Sequence, residues 1–259
     1  MFIMESINSI DINADLGEFR NEKQFTNELN MLNYISSCSV ACGGHVGDSN
    51  SIKLIIEACK EHNIAIGPHP SYPDKEGFGR RAINIDADDL EKTIRKQIHL
   101  FLTVAESSSL AASHVKLHGQ LYNETSKEEK LANLFLNIVN SFDNNLSVIG
   151  PANSLLEHMA KEADISFVAE AFIDRCYRED YSLVDRNQEG ALLESIEDQI
   201  NQAKSIAVDQ RVLTDNKKYI QIKAETLCIH GDNPDSLMVV QGVSKMLKAE
   251  NFNIQSYSS

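Results

Sequence analysis

The sequence predicts a parallel α/β fold closed into a (β/α) barrel. Short apolar runs with β-branched residues alternate with longer amphipathic segments, and that alternation implies parallel βα units. The strands also carry polar faces. Asp11, Asn13 and Asp15 lie on one side of the first strand with Ile10, Ile12 and Ala14 on the other, whereas central strands of an open doubly wound sheet are near-continuously apolar. No Pro/Gly/Ser linker, repeat or low-complexity tract interrupts the pattern, so residues 1–259 are expected to form a single barrel domain.

Seven strands are expected, at about 9–15, 37–42, 64–69, 113–118, 146–149, 165–171 and 226–230. Between the second and third, Ile52, Ile55, Ile56 and Cys59 recur at helical spacing over 51–62. Leu90, Ile94, Ile98, Phe101, Leu102 and Ala105 do the same over 88–106. Thr125 and Glu128 have the spacing of a capping box ahead of Leu131, Leu134, Phe135 and Ile138, and Asn233 with Pro234 offers an N-cap followed by an N1 proline. In the later strands Lys116 and His118 share a face opposite Val115 and Leu117, and Thr226, Cys228 and His230 oppose Leu227 and Ile229. The apolar sides are expected to meet the outer helices, and the polar sides to converge on the barrel axis. Residues 175–190 lack periodicity and read as a long loop.

Composition excludes some functions. A net charge of -14 and a pI near 5.0 argue against a nucleic-acid surface, which needs clustered Lys and Arg, but allow a local basic site for a small carboxylate. Cys38, Cys42, Cys59, Cys176 and Cys228 contain no CxxC pair, which fits a reducing cytoplasm better than a disulfide framework or a zinc knuckle. The N-terminus has no basic start followed by a long apolar stretch, and no segment approaches a membrane span. A soluble cytoplasmic protein is expected.

In parallel α/β folds, reactive groups gather at the carboxyl ends of the strands. Asp15, His45, His69, His118, Glu170 and His230 all take such positions in this reading. Buried carboxylates are costly unless paired, so Asp15 and Glu18 either serve local structure or face a cation, a metal ion or a water to be activated. Ala41-Cys-Gly-Gly-His-Val-Gly-Asp48 is a glycine-rich turn ahead of a helix and suits a carboxylate-bearing substrate, with Asp48 or Asn50 as a helix cap in the plainer reading. After Gly67-Pro-His69-Pro, a glycine-flanked aromatic segment delivers Arg80 and Arg81, each either a bidentate carboxylate ligand or half of a surface ion pair. A buried Lys116 is expensive unless it meets an anion. Glu170 ends a strand, Asp174 and Arg175 follow in the loop, and His230 with Asp232 closes the set. Cys42 and Cys228 read as buried structural thiols.

Together these segments resemble the LamB/YcsF family. The matching stretches are Asn13-Ala-Asp-Leu-Gly-Glu18, Ala41 to Asp48, Gly67-Pro-His-Pro-Ser-Tyr-Pro-Asp74 with Gly77-Phe-Gly-Arg-Arg81, Val115-Lys-Leu-His-Gly-Gln-Leu-Tyr-Asn123, Glu170-Ala-Phe-Ile-Asp-Arg175 and Cys228-Ile-His-Gly-Asp-Asn-Pro234. They run in family order across nearly the whole chain. The resemblance implies a distorted seven-stranded (β/α) TIM-like barrel of the glycoside hydrolase/deacetylase type. It further implies the A subunit of an ATP-dependent 5-oxoprolinase, which converts 5-oxo-L-proline and water to L-glutamate together with partner subunits B and C. ATP is then a co-substrate handled with those partners, since this chain has no evident ATP-binding loop.

Under that resemblance, Asp15 or Glu170 is expected to act as general base, and His45, His69 and His118 to stabilise oxyanion charge or shuttle protons. Lys116 would neutralise a carboxylate or phosphoryl oxygen. Asn13, Glu18, Asp48, Arg80, Arg81, Asp174, Arg175, His230 and Asp232 are the expected substrate-binding set. The chain departs from the family pattern at Phe19-Arg-Asn-Glu-Lys23, Gly44, Leu117 and Cys176, which touches loop shape and leaves these polar residues in place. Two other readings stand beside this one. One is a metal-dependent amidase or deacetylase working without ATP, with Asp15 and two histidines as ligands; the other is a non-catalytic scaffold that binds a small ligand or regulates its partners.

Overall fold

The computed structural model describes residues 8–142, 145–231 and 233–257. The leader reading of residues 1–7, and Asp232, lie outside the described residues. The parallel strands, in chain order, are β1 (Asn8–Leu16), β2 (Ser37–Ala41), β3 (Ala65–His69), β4 (His114–Lys116), β5 (Ser147–Pro151) and β6 (Phe167–Phe172). A hairpin, β7 (Arg211–Leu213) and β8 (Tyr219–Gln221), precedes β9 (Thr226–His230), and β10 (Phe252–Ile254) comes last.

The main sheet runs β3-β2-β1-β9-β6-β5-β4, and every pairing is parallel. Its two edges meet. Ile66 bridges Ala112, and the Ser113 N–H donates to the Ile66 carbonyl at 2.9 Å, so seven strands form a nearly closed barrel. The seam depends on Gly67, where a Cβ would run into the His114 carbonyl and ring.

All seven expected strands are present, with ends within two residues of the expected ones. The β7–β8 hairpin and β10, which joins β1 in parallel, were not expected. Each is three residues long, too short for periodicity to register.

The helices are α1 (Glu22–Met31), α2 (Ser49–His62), α3 (Ala87–Ser107), α4 (Gly119–Thr125), α5 (Glu129–Asn140), α6 (Leu155–Glu162), α7 (Ile196–Ala207) and α8 (Ser236–Ala249). Local chemistry sets α2 clearly. The Asp48 carboxylate accepts from the N–H groups of Asn50 and Ser51, the Ser51 hydroxyl accepts from the Asp48 N–H, and Asn63 ends the helix at φ 56°. Ile52, Ile55, Ile56 and Cys59 are its buried face, and each of those isoleucines contributes about 1.5–3 kcal/mol by leaving water.

Two helix starts differ from the sequence expectation. Thr125 ends α4 instead of capping α5, whose N-cap Glu128 makes no side-chain cap bond. α8 begins after Asp235, because the Asn233 side chain accepts from the Asp235 N–H at 3.0 Å and forms a turn ahead of the helix.

Outward strand faces pack on the helices in two apolar clusters, one holding Ile12, Ala14, Ile55, Ile229 and Val243, the other Val115, Val148, Ile94, Ile98 and Phe135. The barrel interior is polar, with Asp11, Asn13, Asp15, Lys116, Glu170 and Thr226 all buried. Between β6 and α7 the chain forms the expected long loop, pinned by bridges between Arg175 and Leu192 and between Tyr177 and Leu183. No helix among the described residues is long and apolar enough to cross a membrane.

Candidate active site

β4 carries Lys116 into the barrel, where its ammonium meets Glu170 Oε1 at 2.7 Å, Asp15 Oδ1 at 2.8 Å, Asn13 Oδ1 at 3.1 Å and Cys228 Sγ at 3.2 Å. Glu170 is satisfied on both oxygens: Asn13 Nδ2 donates to Oε1 at 2.9 Å and the Tyr122 hydroxyl to Oε2 at 2.6 Å. Asn13 also donates to the Thr226 hydroxyl at 2.7 Å, and Thr226 to Asp11 at 2.5 Å, where Ser36 and Ser37 donate as well. A continuous hydrogen-bonded column thus runs up the barrel axis from Asp11 to Asp15.

The column fixes charge. Burial works against the Lys116 ammonium, but Asp15, Cys228 and Glu170 outweigh it and hold the lysine well above its usual range. Burial works against the Asp15 carboxylate too, and His69 and Lys116 outweigh it, leaving Asp15 well below the usual carboxylate range. At the lower end burial wins: Asp11 is raised despite its three hydroxyl donors. Burial pushes the Cys42 thiol up to about 12 and Cys228 well above its ordinary value, so both are structural thiols.

Above Asp15 three imidazoles pack edge to face and face to face. His45 and His118 stack with centroids 3.7 Å apart, and His69 stands perpendicular to both. His45 Nε2 lies 2.8 Å from Glu18 Oε1 and its Nδ1 3.0 Å from the Ser71 hydroxyl. Burial lowers His45, with Glu18 opposing, and burial with His45 and His69 lowers His118 further. The loop after β3 folds Phe78 against His45 and His118, and it turns at Gly79, φ 65°, where a Cβ would sit 3.0 Å from the His118 ring.

The hydrogen-bond partners fix the tautomers of two of these rings. His69 Nδ1 faces the Lys116 carbonyl at 2.9 Å and must donate; His118 Nε2 faces the Phe78 carbonyl at 2.9 Å and must donate. In their neutral forms the remaining nitrogens, His69 Nε2 and His118 Nδ1, would present lone pairs to each other across 3.0 Å. Asp15 Oδ2 lies 3.3 Å from the first and Glu18 Oε1 3.3 Å from the second. Four acceptor atoms converging in this way call for a proton or a cation between them. Asp15, His69 and His118 fit a metal ion: their ligand atoms lie within 4.8 Å of one another, and N and O donors of this kind suit zinc and other divalent metals. Glu18, His45 and His118 form a second such group.

A cavity of about 560 Å³ opens above the column. Of the sequence-predicted residues, Asp15, His69, Arg80, Lys116, His118, Arg175 and His230 line it. Asn13, Glu18, His45 and Glu170 are buried outside that lining and support it. Three others are placed elsewhere. Asp48 is exposed and caps α2; Arg81 pairs with Asp74, with more than half of its side chain exposed; Asp174 turns to His230 Nδ1 at 2.7 Å.

Sequence reasoning missed Tyr122 and Phe172. Tyr122 lies four residues after His118 on α4, a signal that reads equally as core, and its hydroxyl is what closes Glu170. Phe172 stacks on His230 with centroids 5.2 Å apart, and Lys116 Nζ lies 5.4 Å from its ring.

Fold and site together define a parallel (β/α) barrel with a buried cluster of carboxylates, histidines and a lysine at the carboxyl ends of its strands. The LamB/YcsF family profile matches residues 10–259, and the chain belongs to that family. It is 34% identical over 247 residues to the 5-oxoprolinase A subunit of Staphylococcus aureus strain JH9, covering 95% of this chain and 99% of the relative. The Pyrococcus abyssi protein of the same name is 34% identical over 245 residues, covering 95% and 96%. Among solved structures, a lactam utilization protein from Thermus thermophilus superposes with TM-score 0.86 at 27% identity, covering 96% of this chain and 100% of that one. A pneumococcal exo-beta-D-N-acetylglucosaminidase catalytic module, TM-score 0.56 at 9% identity over 97% of this chain and 87% of that one, shares the fold alone.

Proposed function

We propose that this chain, as one barrel domain in the cytoplasm, is the ring-opening subunit of an ATP-dependent 5-oxoprolinase, working with partner subunits B and C. The names of its relatives support the substrate. The observation that carries the chemistry is Asp15, ionised between His69 and Lys116 at the floor of a cavity large enough for a small molecule.

A five-membered lactam is a poor electrophile, and a carboxylate held far below its usual range is a weak base. ATP coupling resolves both difficulties: transfer of the terminal phosphoryl group to the lactam oxygen leaves ADP and an activated carbonyl carbon that a weak base suffices to hydrate. Water then adds its oxygen to that carbon and gives its proton to Asp15. The carbon–nitrogen bond breaks, the nitrogen taking the proton held between His69 and His118 and the new hydroxyl returning its own proton to that pair, which leaves an acyl phosphate. A second water releases phosphate and leaves glutamate. Lys116 has its donors committed to Asp15, Glu170 and Asn13, so its part is to hold Asp15 in place and ionised. Glu170, outside the cavity lining, positions Lys116.

Purified chain, subunits B and C, 5-oxoproline and ATP should yield glutamate and ADP in equal amounts, and omission of this chain should abolish glutamate. No glutamate from the complete mixture overturns the reading.

A metal-dependent amidase without ATP is the second reading, favoured by the opposed nitrogens of His69 and His118 beside Asp15. A divalent ion held there would polarise the carbonyl and lower the pKa of a bound water. Glutamate formed without ATP and lost on chelation, with stoichiometric metal in the purified protein, would establish it.

A further inference from the structure

Among the described residues, Phe78 and Tyr181 are the aromatic residues held at positive φ, 55° and 67°, in the left-handed region that favours glycine and asparagine. Phe78 packs on the His45 and His118 rings. Tyr181 has no part in ring opening as proposed, yet it lines the same cavity.

The turn that holds Tyr181 is firmly tied. Residues 176–184 form a small hairpin in the loop between β6 and α7: the Val184 N–H donates to the Cys176 carbonyl at 2.9 Å, Tyr177 bridges Leu183, and the Arg178 N–H donates to the Ser182 carbonyl at 2.8 Å. Its base is fixed, since the buried Tyr177 hydroxyl accepts from the Phe172 N–H at 2.7 Å and the buried Arg175 donates to the Val184 carbonyl at 2.7 Å. At the tip the Tyr181 N–H donates to the Arg178 carbonyl at 3.1 Å, and Asp180 accepts from the Ser182 N–H and hydroxyl at 3.0 and 2.6 Å. Asp180, Tyr181, Ser182 and Leu183 of this hairpin line the cavity.

A second turn of the same kind separates what the backbone demands from what the side chain adds. In the β7–β8 hairpin the Thr214 N–H donates to the Lys218 carbonyl at 2.8 Å and the Lys217 N–H to the Thr214 carbonyl at 3.0 Å, with Lys217 at φ 63°. Those bonds repeat the pattern from Arg178 to Ser182, and there the left-handed residue is an exposed lysine. Hairpin loops of this length end on a left-handed residue, ordinarily glycine. Position 181 therefore needs a left-handed backbone and has no need of a ring. Tyr181 bears that strain where it is half-buried at the cavity.

We propose that the Tyr181 ring clamps the substrate, the flat ring of a small cyclic amide lying between it and the cavity floor. The substrate class rests on the ring-opening reading. A lactam presents ring methylenes and a planar amide, the kind of surface an aromatic face covers, and a ring fixed in advance by its hairpin gives up little freedom on binding. The contact is made equally before and during the reaction, so Tyr181 governs KM and not kcat.

In the complete mixture with subunits B and C, Tyr181→Gly should raise KM for 5-oxoproline about tenfold and leave kcat within about threefold, and Tyr181→Phe, which returns the ring, should recover most of the loss. Lys217→Gly gives the same relief of backbone strain away from the cavity and should leave KM as it was. Calorimetry of the full chain with 5-oxoproline should rank the variants in the same order. The urea midpoint of Tyr181→Gly should stand at or above that of the natural chain, because glycine takes a left-handed φ without steric cost. Tyr181→Asn, which also tolerates that backbone, keeps the test valid if glycine loosens the tip.

An unchanged KM in Tyr181→Gly, an equal rise in Lys217→Gly, or no recovery in Tyr181→Phe overturns the clamp. Destabilisation by Tyr181→Gly and Tyr181→Asn alike overturns it too, since the ring then serves packing. Glutamate formed with 5-oxoproline binding unaltered by Tyr181→Gly sinks the clamp and leaves ring opening standing. Binding weakened by Tyr181→Gly and recovered by Tyr181→Phe, with no glutamate from the complete mixture, does the reverse. If the natural chain neither binds 5-oxoproline nor forms glutamate, both fall.

Discussion

The floor and the wall of the cavity are built on opposite terms. On the floor, each of Lys116, Asn13, Glu170 and Thr226 has its polar atoms matched by neighbours on β1, β4, β6 and β9 or by Tyr122 on α4. On the wall, the loop between β6 and α7 leaves Arg175 Nε buried without a hydrogen-bond partner. A closed polar network holds one geometry, and a network with spare donors waits for a ligand. Under the proposed function the acid–base groups sit at or just after strand ends and the loop shapes the cavity around them, which is the division the fold makes easiest.

The largest break in the floor is Lys116→Met. It leaves Asp15 and Glu170 buried without their cation, so urea denaturation should show a loss of about 3–5 kcal/mol, and glutamate formation should fall with it. Asp15→Asn removes the base and keeps the shape: turnover of the assembled complex should drop roughly 10²–10⁴-fold, and unchanged turnover would make this chain a binding scaffold instead of a catalyst.

A pH series sharpens the contrast next. Burial, with Lys116 and His69 adding to it, pushes His114 down to about 3, while an unfolded histidine titrates near 6.5. Between those values the unfolded chain binds the extra proton, so stability is full above about pH 6.5 and declines as pH falls toward 3. The urea midpoint should therefore drop from pH 7 to pH 4, and His114→Asn should flatten that slope. Tyr122→Phe should cost about 1–3 kcal/mol by opening one Glu170 oxygen. The smallest effect belongs to Asp48→Ala, about 1 kcal/mol from the lost cap of α2, with turnover unchanged because Asp48 lies away from the cavity.

The strand faces made the floor legible in advance. Asn13, Asp15, Lys116, His118, Cys228 and His230 alternate with apolar neighbours, and alternation in a parallel strand has few explanations other than a polar interior. Residues set by loops and caps were harder. Arg80 and Arg81 are adjacent and chemically identical, yet one lines the cavity and the other pairs with Asp74, a choice made by the turn at Phe78 and Gly79, both at positive φ. Asp174 and Arg175 part company in the same way. Tyr122 was hidden because an aromatic on the inner face of a helix looks identical whether it packs or donates.

β1 lies in the middle of the sheet, with β2 on one flank, β9 on the other and β10 beside its first residues. As the ribosome extends the chain, the first strand made therefore waits for nearly the last before its ladder is complete, and pairings of such sequence separation form slowly. Through most of synthesis Asp11 and Asn13 lack Thr226, and Asp15 acquires Lys116 only midway. A nascent chain stalled before residue 226 holds Asp15, His69, Lys116 and Glu170 but not Thr226, Cys228 or the strand that joins β1 to β6, so the column is completed in one late step, when β9 slots home.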